Sequence, residues 1–306
     1  MRLRELPGRP LEPAQARVAV EAAGVNPVDA GNRGDPSWAG VEAPYVVGYE
    51  FAGLVTELGS AVEGRDGDAP AVGDAVWGLL PVRGTRWGAY SDEVVADARF
   101  LARRPPGLTA VEAAALPLAG TTALQLLDRL APDEGEWILV HGAAGGVGHL
   151  FVQLAHARGA RVAAPASEAR HALLHELGVD VVVDRHRAGA LATARERAGV
   201  DFPIVADLVG DGTLAASLEL MAEGGRAGWI VELAGDLEQA VDRNITLHGL
   251  LVRPGRDALD ALAALAEAGR VRVVLDEVLP LEDAGRAHER IATRSGQGKL
   301  ALTLTG

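Results

Sequence analysis

The sequence predicts an α/β protein in two parts, and three observations predict it. Short apolar runs, alternating with polar residues and bounded by glycine and proline, fill the first hundred residues. From Thr109 onward, strand-like runs alternate with helical patterns, the signature of a parallel sheet covered by helices. One strand-to-helix junction is glycine-rich, HGAAGGVG at 141–148. Such a junction either cradles a phosphate against the backbone or merely turns the chain from strand to helix.

In chain order, strands are expected at ARVAVEAAGV (16–25), YEFAGLVTELG (49–59), DAVWGLL (74–80) and AYSDEVVA (89–96). The loops between them are turn-rich, and EGRDGDAPAVGD (63–74) reads as a solvated acidic turn. After the proline stop, Thr109 caps a helix with Glu112 as its capping-box partner. Strands then fall at WILV (137–140), RVAA (161–164), VDVVV (179–183), PIVADLV (203–209) and AGWIVEL (227–233). Helices run from about residue 146 and through Leu177. Past 255, the helix ALDALAALAEAG leads to the strand VRVVLDEVL, a further helix and the strand KLALTLT.

Composition narrows the chemistry. A net charge of −13 argues against nucleic-acid or anionic-membrane partners, which need a basic surface. There is no cysteine, so disulfides, thiol catalysis and cysteine-zinc sites are excluded. No apolar run is long enough to span a bilayer and no leader opens the chain, so a cytoplasmic protein is expected. Lys299 is the only lysine, and Leu300 follows it, so no phosphate-binding Gly-Lys-Ser/Thr loop exists. The Tyr-x-x-x-Lys pair of short-chain dehydrogenases is equally out of reach. No serine sits in a G-x-S-x-G elbow. The His-Glu dipeptides at His175 and His288 lack a second zinc-protease histidine.

In a dinucleotide-binding G-x-G-x-x-G fingerprint, the first position makes the turn, the second admits the pyrophosphate and the third lets helix pack on strand. Those positions are Ala143, Gly145 and Gly148 here, with Ala144, Gly146 and Val147 between them. An acidic residue at the end of the next strand would bind the ribose of NAD and repel a 2′-phosphate. That position is Ala164 or Pro165, and Ser167, Arg170 and His171 follow, which favours NADPH. Glu168 is the counter-indication, if it points inward.

The chain resembles the zinc-independent quinone oxidoreductase branch of the medium-chain dehydrogenase/reductase superfamily. The segments that carry this are AAGVNPVDAGNRG (22–34), PYVVGYEFAGLVTELGSAV (44–62), VGDAVWG (72–78), AAALPLAGTTAL (113–124), HGAAGGVG (141–148), LGVDVVVD (177–184) and GKLALTL (298–304). The resemblance implies a GroES-like β-rich catalytic domain, with a doubly wound Rossmann domain inserted and the active site between them. The expected boundaries are 1–108, 109–256 and 257–306. It further implies that Asn26 faces the nicotinamide ribose or substrate and that Thr121 lies near the nicotinamide. Ala143 to Gly148 would hold the pyrophosphate, and Ser167, Arg170 and His171 the 2′-phosphate. Val209 and Gly210 would lie near the adenosine, Glu232, Leu233 and Ala234 near the carboxamide, and Lys299 within reach of the cofactor. Asn26 and Tyr49 are the catalytic candidates. Asp29 and Arg33 read as an ion pair that orients their loop.

Metal-dependent relatives carry cysteine where Asn26 falls and histidine where Tyr49 falls, so no metal site is expected. His171 and His175 lie one helical turn apart but lack a third ligand. Gly31 stands where many relatives carry an aromatic, and Trp38 and Trp87 either line a pocket or fill core. Relatives begin with an extra strand before LRELP. Family subunits often pair along the edge of the Rossmann sheet, here ITLHGLLV (245–252). The expected activity is NADPH-dependent reduction of a quinone or conjugated enone. The alternatives are a biosynthetic tailoring enzyme performing a cyclisation or dehydration, and a non-catalytic NADPH-binding sensor.

Overall fold

The computed structural model describes residues 3–62 and 70–304. The acidic turn expected at 63–74 therefore lies outside the described residues over 63–69. The strands in chain order are β1 (Gln15–Val25), β2 (Glu50–Leu58), β3 (Ala75–Leu79), β4 (Glu93–Asp97), β5 (Leu101–Arg103), β6 (Trp137–His141) and β7 (Arg161–Ala166). They continue as β8 (Val181–Asp184), β9 (Phe202–Asp207), β10 (Met221–Trp229), β11 (Thr246–Gly249), β12 (Leu275–Pro280) and β13 (Lys299–Thr303). The chain forms two compact units. One is Met1–Thr121 with Arg253–Gly269 and Val273–Gly306; the other is Thr122–Val252 with Arg270–Arg272.

The first unit is a mixed sheet in the order β12-β13-β1-β2-β3-β5, with β4 also paired to β1. β1 is antiparallel to both β2 and β13. Its last residues therefore lie beside the first residues of each neighbour: Val25 pairs with Leu300, and Ala23 with Phe51. This register gathers Asn26, Glu50 and Lys299 at one end of three adjacent strands. Beyond β5, Thr109 caps the helix Ala110–Ala114, and Glu112 reaches back to its backbone N–H at 2.9 Å, the capping box the sequence predicted.

The second unit is a six-stranded parallel sheet in the order β11-β10-β9-β6-β7-β8. Counted from β6, this is the 3-2-1-4-5-6 order of a dinucleotide-binding fold. β6 is buried throughout, as a central parallel strand covered on both faces must be. Trp137, Leu139, Phe202, Val205 and Met221 belong to its core.

Several strand ends differ from the sequence pattern for local reasons. AYSDEVVA is strand only from Glu93, because Ala89 and Tyr90 pair with the Val47–Gly48 turn. β10 starts earlier than AGWIVEL and stops at Trp229, which pairs with the last residue of β9, Asp207. In the run VRVVLDEVL the strand begins only at Leu275 and continues to Pro280, and the backbone of Arg272 instead bonds the Gln153 side chain. β5 was not legible, since LAR alternates too briefly to register. No helix among the described residues is long and apolar enough to cross a membrane.

Candidate active site

In the first unit, Asn26 directly follows β1 and caps the helix Pro27–Gly34. Pro27 opens that helix, where a missing N–H is harmless. Asp29 accepts the Asn26 backbone N–H at 2.7 Å. The Asn26 side chain is gripped from both ends. Its Nδ2 donates to Glu50 Oε1 at 2.7 Å, and its Oδ1 accepts from the Lys299 ammonium. Lys299 Nζ also donates to Glu50 Oε1 at 2.7 Å and to Val25 O at 3.1 Å. The other Glu50 oxygen accepts the Leu118 N–H at 2.6 Å. Leu118 lies in the first turn of the helix Pro117–Leu130, where a carboxylate also favours the helix dipole. The side chains of Glu50 and Lys299 are 0% and 2% exposed. A buried ion pair is tolerated only when its remaining donors and acceptors are satisfied, as here.

Behind this cluster sit groups the sequence reading missed. Tyr90 Oη lies 3.4 Å from Asp29 Oδ2 and 3.4 Å from His288 Nε2. Burial pushes the Asp29 carboxyl up to about 7, the nearby Glu50 adding to it. Burial also lowers His288 to about 4, with Arg33 contributing, and holds the Tyr90 phenol well above its usual range. Asp29 thus faces Asn26 and Tyr90, and the expected ion pair with Arg33 is not formed. One signal pointed to the cluster. Glu50 stands in GYEFAG, a charge inside an apolar strand. No local pattern links Tyr90 with His288, which are 198 residues apart.

Tyr49 is 2% exposed, and its hydroxyl accepts from Asn32 Nδ2 at 2.6 Å. It ties β2 to the helix Pro27–Gly34 and makes no bond to Asn26 or Lys299 among the described residues. Burial raises its pKa as well. Gly31 and Trp38, with Val28, Asn32 and Asp35, line a hollow of about 330 Å³. Trp38 is 44% exposed, so it is wall and not core, and the Arg83 guanidinium stacks over it at 4.7 Å. Trp87 is half-buried beneath Arg86.

Thr121 is fully buried, and its Oγ1 has no hydrogen-bond partner among the described residues. An unpaired buried hydroxyl costs about 1–3 kcal/mol, which a ligand acceptor would offset.

In the second unit, the glycine stretch leaves β6 at the point where strand order reverses, between β6 and β9. The tight turn is made by Gly142, with φ +77°, so alanine at 143 is accommodated without strain. A Cβ on Gly148 would lie 2.0 Å from Gly142 O and 2.7 Å from Ala143 Cα. The helix Gly148–Ala157 starts there, two residues later than the pattern implied. Ala143 and Ala144 are buried, while Gly145, Gly146 and Val147 are half-buried. His141 Nε2 meets Ser217 Oγ at 2.7 Å, and that hydroxyl donates onward to Thr213 O. The histidine is therefore the donor, and burial favours its neutral form.

Asp207 builds the neighbouring loop, accepting from the N–H groups of Val209, Gly210 and Leu214 at 2.9, 3.0 and 3.1 Å. A Cβ on Gly142 would meet Val209 at 2.9 Å, and one on Gly210 would meet Glu232 O at 2.9 Å. The loops after β6, β9 and β10 thus converge. Glu232, Leu233 and Ala234 are exposed beside them. β7 extends to Ala166, so the residue directly after it is Ser167, not Ala164 or Pro165. Arg170 and His171 are half-buried just beyond, and Glu168 is exposed. His171 Nε2 and His175 Nδ1 each face a backbone carbonyl at 3.2 Å, of Ala166 and Val179.

These loops fit a dinucleotide: a backbone cradle that a side chain at 148 would fill, and a helix start behind it. Zinc does not fit. Among the described residues, no group of three or more His, Asp or Glu side chains is arranged to hold a metal ion.

Comparison with known proteins agrees with this geometry. Residues 12–106 match the alcohol dehydrogenase GroES-like domain, and 177–302 match the zinc-binding dehydrogenase family. The chain is 36% identical, over 96% of its length, to the spectinabilin polyketide synthase system protein NorB of Streptomyces orinoci, and spans 13% of that protein. It is 33% identical to the 2-methylene-furan-3-one reductase of Solanum lycopersicum, over 94% of this chain and 71% of that protein. The structure of the quinone oxidoreductase from Coxiella burnetii superposes with a TM-score of 0.89 at 29% identity, covering 99% of this chain and 95% of that one. The chain therefore belongs to the medium-chain dehydrogenase/reductase superfamily, in its quinone oxidoreductase and enoyl reductase branch.

Proposed function

We propose that this protein is an NADPH-dependent, zinc-independent reductase that passes hydride to a quinone or an α,β-unsaturated carbonyl. The observation that carries the reading is the backbone cradle at Gly142–Gly148, opening onto a helix start at the reversal point of the parallel sheet. The similarity to a reductase named for an enone and to a quinone oxidoreductase supports the acceptor class.

The N–H groups of Gly146, Val147 and Gly148 would take the pyrophosphate, while that of Gly145 closes the turn onto Gly142 O at 2.9 Å. Ser167, Arg170 and His171 would take the 2′-phosphate, with no carboxylate at the end of β7 to repel it. Val209, Gly210, Glu232, Leu233 and Ala234 would complete the nucleotide site, and Thr121 Oγ1 would offer its free hydrogen-bonding capacity. When bound, the nicotinamide supplies the hydride. Asn26 would donate its amide N–H to the substrate oxygen as negative charge develops there. Positioning is the main contribution of the other residues. Tyr49 is engaged with Asn32 and Tyr90 is deeply buried, so water delivers the proton to the acceptor. A ubiquinone analogue and a set of enones, each offered with NADPH, test the reading by loss of NADPH absorbance. Turnover is expected with at least one of them. Background rates with all of them would reject it.

A further inference from the structure

Asn26 carries an oxygen and an NH2 on one flat amide, two groups of nearly equal shape. Packing alone distinguishes poorly between its two orientations, which differ by a half-turn of χ2. Here opposite charges distinguish them. Oδ1 faces the Lys299 ammonium, and Nδ2 faces the Glu50 carboxylate. A half-turn would set NH2 against ammonium and carbonyl against carboxylate. Both charges are buried, where such repulsion is weakly screened. Glu50 is itself anchored by the Leu118 N–H. Val25 O, Asn26 Oδ1 and Glu50 Oε1 occupy all three Lys299 donors, leaving none for a ligand. The second Asn26 amide hydrogen has no acceptor among the described residues.

We propose that Lys299 and Glu50 are positioning residues that lock the Asn26 amide in one orientation, so that its free N–H is presented to the substrate oxygen, while neither charge touches substrate or cofactor. This reassigns Lys299 from the cofactor contact implied by family resemblance. It rests on the reductase reading only for what Asn26 binds; the lock itself does not.

The test is the double variant Glu50→Gln/Lys299→Met, which removes both charges and leaves neither unpaired. The first readout is NMR of the Asn26 side-chain NH2, assigned by its loss in Asn26→Ala. The wild type should show one slowly exchanging pair of signals. The double variant should show exchange at least about tenfold faster, or two sets of signals. The second readout is kinetic. The double variant should lose about tenfold or more in kcat, with the NADPH Kd within about twofold of wild type. In an Asn26→Ala background, the same two substitutions should change kcat by less than about threefold, because their effect runs through Asn26.

Unaltered exchange would overturn the proposal. So would independent, multiplicative losses in the cycle, or a tenfold weaker NADPH Kd, which would put Lys299 on the cofactor. If the double variant does not fold, Glu50→Gln alone gives the same exchange readout, and unaltered exchange again overturns the proposal. If wild type reduces no acceptor, the reductase reading falls by itself, and the exchange arm still decides the lock.

Discussion

The two units place their polar groups by opposite means. In the second, eight consecutive residues fold a backbone cradle, and side chains matter chiefly by being absent. In the first, side chains from residues 26, 50 and 299 meet across the ends of three strands, joined by a backbone N–H from residue 118. The cradle should therefore fail when volume is added, and the side-chain cluster when a charge is lost.

Gly148→Val should break the cradle most severely. Its new Cβ would meet the backbone at 142 and 143, which has no side-chain freedom with which to yield. A loss of about 3 kcal/mol or more is expected, together with loss of NADPH binding. Urea unfolding and nucleotide titration read the two effects. Gly145→Ala is the sharper control, since its Cβ would lie 3.2 Å from its nearest neighbour, Gly142 O. It should retain the fold while weakening binding.

Lys299→Met should come next, at about 3–5 kcal/mol, because it strands the Glu50 carboxylate in the core. Adding Glu50→Gln should return most of that loss, which denaturant midpoints at constant slope would show. If the second substitution makes matters worse, the pair is not the unit described.

The polar group behind the pair should respond to pH in two opposing ways. Asp29 has its folded pKa raised from 3.8 to about 7, mainly by burial. The folded state therefore holds a proton that the unfolded chain releases, and stability falls as pH rises from about 4 to 7. His288 is lowered from 6.5 to about 4, again mainly by burial. The unfolded chain then holds the extra proton, and stability falls as pH drops from 6.5 to about 4. Across that shared window the two slopes offset each other. Asp29→Asn should unmask a stability that rises with pH, and His288→Gln one that falls. Identical slopes in the two variants would contradict the assignment.

Smallest is Thr109→Ala. It removes one exposed cap, worth about 1 kcal/mol, and should leave nucleotide binding unchanged.

The same contrast explains what the sequence revealed. The cradle was legible because its determinants are local: a buried strand, glycines at fixed offsets and a helix. Even there, the turn residue proved to be Gly142, because φ cannot be read from spacing. Asn26 and Lys299 were singled out separately, but their contact was not, since they stand 273 positions apart. Asp29 and Arg33 looked like partners at helical spacing. The capping N–H of Asn26 and the Tyr90 hydroxyl engage Asp29 instead. The strand end lies two residues beyond the expected Ala164, which brings Ser167 directly after it, because β7 runs on through Pro165 to pair Ala166 with Asp184.

The most direct test of the central claim, that the cradle serves NADPH, is a fluorescence titration of the protein with NADPH and with NADH, beside Arg170→Ala. The account predicts NADPH binding at least about tenfold tighter, roughly 1.4 kcal/mol, with that preference lost in the variant. Binding of neither nucleotide, or equal binding of both, would contradict it.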